Sequence, residues 1–433
     1  MRFSARAVAA ATGGLLVGPD VDIDGASFDT RSLQPGQLFV PIVGDRDGHE
    51  FIPGALQRGA AAYLSSQPAV GGTAIEVPDT LRALMALAAA QRSTFDGAVI
   101  GITGSVGKTS TKDLAWAALA ASRRTWANER SFNNEQGLPT TVLNMPADTE
   151  VLILEMGMRG AGQIAELCNI ARPAIGVVTR VAEAHSDLLG GIDGVARAKA
   201  ELIESLPPGG VAILNADDHR VRAMRNRTSA DVLLFGEAAD ADVRVVDVEL
   251  DEFARATCTV VTPWGTVRVS LAVSGRHMAA NAAAALACVG AVGGDVQSGA
   301  AALSKVLLTA MRMDVRRALS GVVVLNDSYN ANPTSMRAAI DALVDLPARR
   351  RVAVLGLMAE ISDPADEHLA IAKYALRRGV ELIAYGTDLY GIEAVADVAS
   401  AVAALGSLAS GDAVLVKASR VVGLEHVAAA LLG

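Results

Sequence analysis

The stretch AVIGITGSVGKTSTKDLAWAALAAS, residues 98–122, constrains the fold more than any other part of the chain. It opens on a continuous apolar run without period-two alternation, the pattern of a strand buried on both faces of a mostly parallel sheet. A glycine-spaced turn follows, and then a helical pattern. Gly104 and Gly107 allow backbone N–H groups to approach an anion closely, and the helix start adds its positive dipole end. Lys108 supplies a point charge, and the Thr109 hydroxyl is placed to reach a Mg²⁺ ion. Thr103, Gly104, Ser105, Val106, Gly107, Lys108, Thr109 and Ser110 are therefore expected to form a phosphate-binding loop. The loop departs from the strict pattern, because Ile102 stands where that pattern has glycine.

The rest of the chain must build around such a unit. At 433 residues it exceeds one ordinary core, and two to four domains are expected. Hydrophobic residues make up 51% and charged residues 20%, which places it among globular chains. The net charge of -9 argues against a general nucleic-acid binder, whose affinity rests on phosphate contacts. Cys168, Cys258 and Cys288 are too scattered for a disulfide framework or a zinc site, and fit a reducing compartment. The N-terminal apolar run reads as a helix capped by Ser4 and ended at Gly13 and Gly14 rather than as a leader. The longest apolar run, MAANAAAALACVGAVGG, is too weakly hydrophobic for a membrane span. No membrane insertion is expected, and a cytoplasmic location is.

Three regions differ in rhythm. Residues 1–96 mix short strands, among them GQLFVPI, with turns and a helix over DTLRALMALAAAQRSTF. Residues 97–308 repeat strand, loop and helix, with further buried strands in EVLILEMG, AIGVVTRV and GGVAILNADD. Within them, residues 240–273 alternate like antiparallel hairpins, and a helix follows over HMAANAAAALACVGAVG. Residues 309–433 carry GVVVLNDSYNANP, RRVAVLGLM, VELIAYG and DAVLVKAS, strand candidates separated by helices. The expected fold is α/β, with a small first domain, a central nucleotide-binding domain and a C-terminal Rossmann-like domain.

The compact TGSVGKTS loop resembles that of the Mur ligase and folylpolyglutamate synthetase family, whose members join a carboxylate to an amine using ATP. Further segments carry the resemblance. SFNNEQGLP, with Asn134, is similar to the family's Asn-rich loop, and LEMGMRGAGQI places Glu155 at a strand end. VAEAHSDLLGG contains His185, and VARAKAELIE contains Lys199. The resemblance implies two Mg²⁺ ions held with help from Thr109, Glu155, His185 and Lys199, and a carbamate on Lys199. Residue chemistry alone leaves His185 open as an ordinary polar histidine and Lys199 as a surface lysine. A carbamate needs a neutral amine first, hence a depressed lysine pKa. GRHMAANAAAALA resembles the adenine-contacting segment, with His277 and Asn281 one turn apart; Met278 replaces the family's asparagine.

The resemblance further implies that Arg312 reaches ATP, with Asp327 near the ribose and Tyr329 nearby. Asn330, Asn332 and Ser335 in DSYNANPTSM would face the amine substrate. In the first region, Thr30, Arg31, Asp47, Gly48 and His49 match a UDP-sugar module. Lys108, Lys199, His185, Asn134 and Arg312 are the residues implied for catalysis. DSYNANPTSM resembles the branch that joins D-Ala-D-Ala to UDP-MurNAc-tripeptide. A sister branch adding a diamino acid, and a non-catalytic ATP switch, are the alternatives. Leu357 and Ile361 depart from the family pattern near the expected dipeptide side. A monomer is expected.

Overall fold

The computed structural model describes residues 2–129, 132–182 and 189–433. Its frame is three sheets in chain order. The first has five strands, ordered Leu15–Val17, Ala74–Glu76, Ala62–Ser65, Leu38–Phe39, Ala26–Ser27, beside a short antiparallel pair of Arg2–Ser4 and Asp22–Asp24. The helix Ala5–Thr12 begins where Ser4 Oγ accepts from Ala7 N and ends at Gly13, whose φ is 66°. In GQLFVPI only Leu38–Phe39 joins the ladder. Pro41 has no N–H with which to extend it.

The second sheet has nine strands. From Thr125–Ala127 at one edge through Val151–Glu155, Ala98–Thr103, Ile175–Val178, Val211–Asn215 and Asp231–Gly236 to Val243–Leu250, every neighbouring pair is parallel. Arg255–Thr262 and Gly265–Ser274 then extend it as antiparallel hairpins, as the alternation predicts. Both faces are covered. Ile100, Ile102, Ile153 and Val177 pack with Leu114, Ala118 and the alanines of the helix Met278–Ala291. Val99, Leu152, Leu154 and Val178 point the other way, toward Leu138, Leu167 and Leu202. Period-two side-chain direction splits an unbroken apolar run between two cores in this way.

The third sheet is ordered Asp314–Arg317, Val323–Asn326, Ala413–Lys417, Arg351–Leu355, Glu381–Tyr385, Ala394–Val395. The first pair is antiparallel and the others parallel. Ligands of open α/β sheets bind beyond the carboxyl ends of the strands where the strand order reverses. Val323–Asn326, Ala413–Lys417 and Arg351–Leu355 end side by side there. Cys168, Cys258 and Cys288 are free and buried. Among the described residues no helix is long and apolar enough to cross a membrane.

Candidate active site

The strand Ala98–Thr103 leads into the phosphate-binding loop, and the helix Lys108–Ala120 leaves it. Gly104 has φ +152°, and a Cβ there would lie 1.9 Å from Thr179 Oγ1; Gly107, at φ +87°, caps the helix. No other residue type fits Gly104 without displacing a buried strand end. The loop is propped from the neighbouring strand: Ser105 N donates to Arg180 O (2.6 Å), Ser105 Oγ to Ala182 O (2.8 Å), and Thr179 Oγ1 to Val106 O (2.6 Å). Lys108 Nζ folds back to donate to Gly104 O at 2.6 Å. Burial pushes its pKa down, and the Glu155 carboxylate opposes the shift. Thr103 is buried and donates to Met156 O (2.9 Å). Thr109 is also buried and does not line the cleft, whereas Ser110 does.

Glu155 ends the strand beside the loop strand, in register with Ile102. Its Oε1 accepts from Asn133 Nδ2 at 2.7 Å, while its Oε2 is buried and has no hydrogen-bond partner among the described residues. A lone pair stranded on a buried carboxylate next to a phosphate loop fits a hard cation that shares its remaining ligands with phosphate and water. Asn134 lines the same cleft and accepts from Gly137 N (3.0 Å), starting the helix Gly137–Leu143. Lys199 reaches the cleft from the helix Ile192–Glu204 and is buried. Desolvation holds its pKa well below the usual lysine range, and Lys108 adds repulsion. His185 lies outside the described residues. Among those described, no three His, Cys, Asp or Glu side chains converge as a ready metal cluster.

The opposite wall comes from the helix Met278–Ala291 and the third sheet. His277 and Asn281 line the cleft, and Asn281 Oδ1 lies 3.2 Å from where a Gly107 Cβ would sit. Burial lowers the His277 pKa, and Asp327 opposes this. Arg312 stands between Met311 and Met313, whose φ values of 63° and 50° are in the left-handed region. Such backbone is costly for side-chain-bearing residues and clusters at functional sites. The Arg312 guanidinium lies 4.2 Å above the Tyr329 ring, and its Nε is buried with no hydrogen-bond partner among the described residues. Asp327, Tyr329, Asn330, Asn332 and Ser335 complete this wall. Asn332 and Ser335 also cap each other at the start of the helix Pro333–Asp345, so part of their hydrogen-bonding capacity is already used. The whole cleft measures about 510 Å³.

The residues expected to hold a UDP-sugar do not line this cleft. Arg31 is 88% exposed and closes its fork on Asp29 (2.7 Å). Asp47 Oδ1 meets His49 Nδ1 at 2.6 Å, and His49 Nε2 accepts from Ser66 N (3.0 Å). Gly48 is packed so closely that a Cβ would meet Ile42 N at 2.5 Å. Thr30 lies two residues after Phe28, whose ring lies 5.7 Å from that of Phe132. The first domain therefore abuts the segment that delivers Asn133 to Glu155. Sequence reasoning gave no role to Asn133, Arg159, Glu360 or Lys417, all of which line the cleft. Two carried a signal: Asn133, beside Asn134 in the Asn-rich segment SFNNEQGLP, and Lys417, the lysine that ends the apolar run of DAVLVKAS.

A phosphate loop at a parallel-strand end, facing an arginine from a second α/β sheet across one cleft, defines a multidomain nucleoside-triphosphate-binding protein. Residues 102–289 match the Mur ligase middle domain, and residues 311–420 match the Mur ligase, glutamate ligase domain. The UDP-N-acetylmuramoyl-tripeptide--D-alanyl-D-alanine ligase of Mycobacterium tuberculosis is 40% identical over 94% of this chain and 91% of its own. The crystal structure of MurF from Acinetobacter baumannii superposes with TM-score 0.87 at 26% identity, covering 100% of this chain and 99% of that one. MurF ligase from Thermotoga maritima in complex with ADP gives 0.84 at 28% identity, covering 94% and 96%. The chain belongs to the Mur ligase family.

Proposed function

We propose that this chain is an ATP-dependent, ADP-forming ligase that joins D-alanyl-D-alanine to UDP-N-acetylmuramoyl-tripeptide in peptidoglycan precursor synthesis. The observation that carries the reading is one cleft holding the phosphate loop, Glu155 and Lys199 on one wall and Arg312 with the DSYNANP segment on the other. Similarity to the tripeptide--D-alanyl-D-alanine ligases over nearly the whole chain supports the substrate pair.

In this reading the terminal carboxylate of the tripeptide attacks the γ-phosphorus of ATP, and ADP leaves. The dipeptide amine then adds to the acyl phosphate carbon, and the tetrahedral adduct expels phosphate. Such chemistry needs positioning and charge compensation more than covalent help from the protein. Backbone N–H groups of residues 104 and 106–108 would cradle the phosphates, that of Ser105 being donated to Arg180 O. Lys108 leaves Gly104 O to meet them, and the unpartnered Arg312 Nε turns toward the transferred group. His277 and Asn281 face the adenine, and Asp327 the ribose.

Glu155, with Thr109 or Ser110, would hold Mg²⁺, which neutralises phosphate charge. Two ions are proposed, with His185 at the second. The depressed pKa of Lys199 favours the neutral amine from which a carbamate forms, and that carbamate would add an oxygen donor. Thr30, Arg31, Asp47, Gly48 and His49 would contact the UDP-sugar, and Asn330, Asn332 and Ser335 the dipeptide. Residues 1–96, 97–308 and 309–433 would then bind the UDP-sugar peptide, ATP and the dipeptide, in a cytoplasmic monomer.

The test is to incubate the purified protein with ATP, Mg²⁺, UDP-N-acetylmuramoyl-tripeptide and D-alanyl-D-alanine, and to weigh the product. A pentapeptide product with stoichiometric ADP is expected. In a parallel incubation, ligation of meso-diaminopimelate or L-lysine to UDP-N-acetylmuramoyl-dipeptide, with no pentapeptide formed in the first, would overturn the substrate assignment and leave the ligase chemistry standing.

A further inference from the structure

Lys417 ends the strand Ala413–Lys417, between Val323–Asn326 and Arg351–Leu355, at the carboxyl edge of the third sheet. It is 1% exposed. A lysine this deep is costly unless paired and fully hydrogen-bonded. Its ammonium has three donors and finds three acceptors: Asp327 Oδ2 at 2.5 Å, Asp327 O at 3.3 Å and Asn330 O at 2.8 Å. Burial pushes the Lys417 pKa down, and Asp327 opposes that shift. The lysine thus ties both ends of residues 327–330 to the strand end.

That short segment in turn grips Arg312 from both sides. Asp327 Oδ1 accepts from Met313 N at 3.0 Å. Tyr329 N donates to Met311 O at 3.2 Å, and the Tyr329 ring lies beneath the Arg312 guanidinium. The residues before and after Arg312 both have left-handed φ, a conformation that needs external support. The segment held by Lys417 provides it.

We propose that Lys417 is a positioning residue for the transfer step, fixing residues 327–330 so that they hold the backbone on either side of Arg312 and the ring under its guanidinium. The proposal rests on the reading of Arg312 as the group that faces the transferred phosphoryl. Lys417 itself touches no reacting atom. Misplacing a catalytic group by about 1 Å can cost on the order of 10²-fold in rate.

The experiment compares Lys417→Met, Asp327→Asn and the double variant in steady-state ADP release, well below their melting temperatures. Lys417→Met should lower kcat by about 10²-fold while the KM for the UDP-sugar peptide moves by less than about threefold. The double variant should be no slower than the worse single, because both changes break one unit. A purely structural lysine would lower the melting temperature and spare kcat. A Lys417→Met kcat within about threefold of the unmodified protein, or losses that multiply in the double variant, would overturn the proposal. Should Lys417→Met not fold, the neutral Met–Asn pair of the double variant decides, since neutralising both partners of a buried ion pair is often tolerated. Wild-type kcat in that folded variant overturns the proposal, and a loss of about 10²-fold supports it. Rates are read with whichever amine the unmodified protein uses best. A wrong substrate assignment then shows in the unmodified protein and not in the ratio.

Discussion

Asn144 is expected to hold the first sheet onto the central domain, and Asn144→Ala should loosen it. The side chain completes the edge of the first sheet as a further strand would: Oδ1 accepts from Ala26 N at 2.9 Å, and Nδ2 donates to Ala26 O at 2.8 Å. Gln37 Nε2 adds a third bond at 3.2 Å. Ala26 is 1% exposed, so the substitution strands a buried N–H and a buried C=O. Each such group costs about 1–3 kcal/mol, and water entering beside the half-buried Asn144 brings the sum toward about 2–3 kcal/mol. At roughly 2–4 °C per kcal/mol, the melting transition should fall by about 4–12 °C. Scanning calorimetry reads this, with limited proteolysis of residues 93–97 as a local probe. The affinity for a UDP-sugar ligand should weaken while that for ATP holds. A transition within about 1 °C of the unmodified protein, with an unchanged cleavage pattern, would refute the clasp.

Lys199→Ala should lower ligation by about 10²-fold or more while ATP affinity changes by less than about threefold, read by turnover and by calorimetric titration. Because the folded Lys199 binds a proton less readily than the unfolded one, its contribution destabilises the fold increasingly as pH falls below the usual lysine range. Carbamate-free Lys199→Met should therefore show a flatter stability–pH curve, measured by denaturant titration between neutral and alkaline pH. Gly104→Ala places a Cβ 1.9 Å from Thr179 Oγ1 and should abolish the thermal shift that ATP induces. Glu155→Gln should remove the Mg²⁺ dependence of that shift, and an unchanged Mg²⁺ titration would count against Glu155 as the metal ligand.

The features legible in the sequence are those that local chemistry decides. The Ser4 cap and the Gly13 terminus of the first helix follow from side-chain capping and left-handed backbone within a few residues. The loop strand was legible because its apolar run is unbroken, and the hairpins of the central sheet because theirs alternate. The strand Asp231–Gly236 is not legible, since DVLLFG lies in polar sequence; its parallel pairing with Val211–Asn215 and Val243–Leu250 makes it a strand. Thr109 and Ser110 are adjacent hydroxyls whose order in the motif does not tell which one faces the cleft. The burial of Lys417 depends on partners 87 and 90 residues away in the chain, beyond the reach of any local pattern. The pairing of Asn144 with Ala26, across 118 residues, is invisible for the same reason.

The phosphate loop takes its shape from residues that come after it. Its strand sits between Val151–Glu155 and Ile175–Val178, and its turn is propped by Thr179, Arg180 and Ala182. A ribosome-bound chain that has exposed TGSVGKTS has therefore not yet made an ATP site. At about 5–20 residues per second, the props leave the ribosome some 4–15 s behind the loop. Until then its glycines are unconstrained, and of the strand's two edges only the one that meets Val151–Glu155 has its partner already synthesised. During synthesis, a chaperone that shields bare strand edges has a target here for that interval.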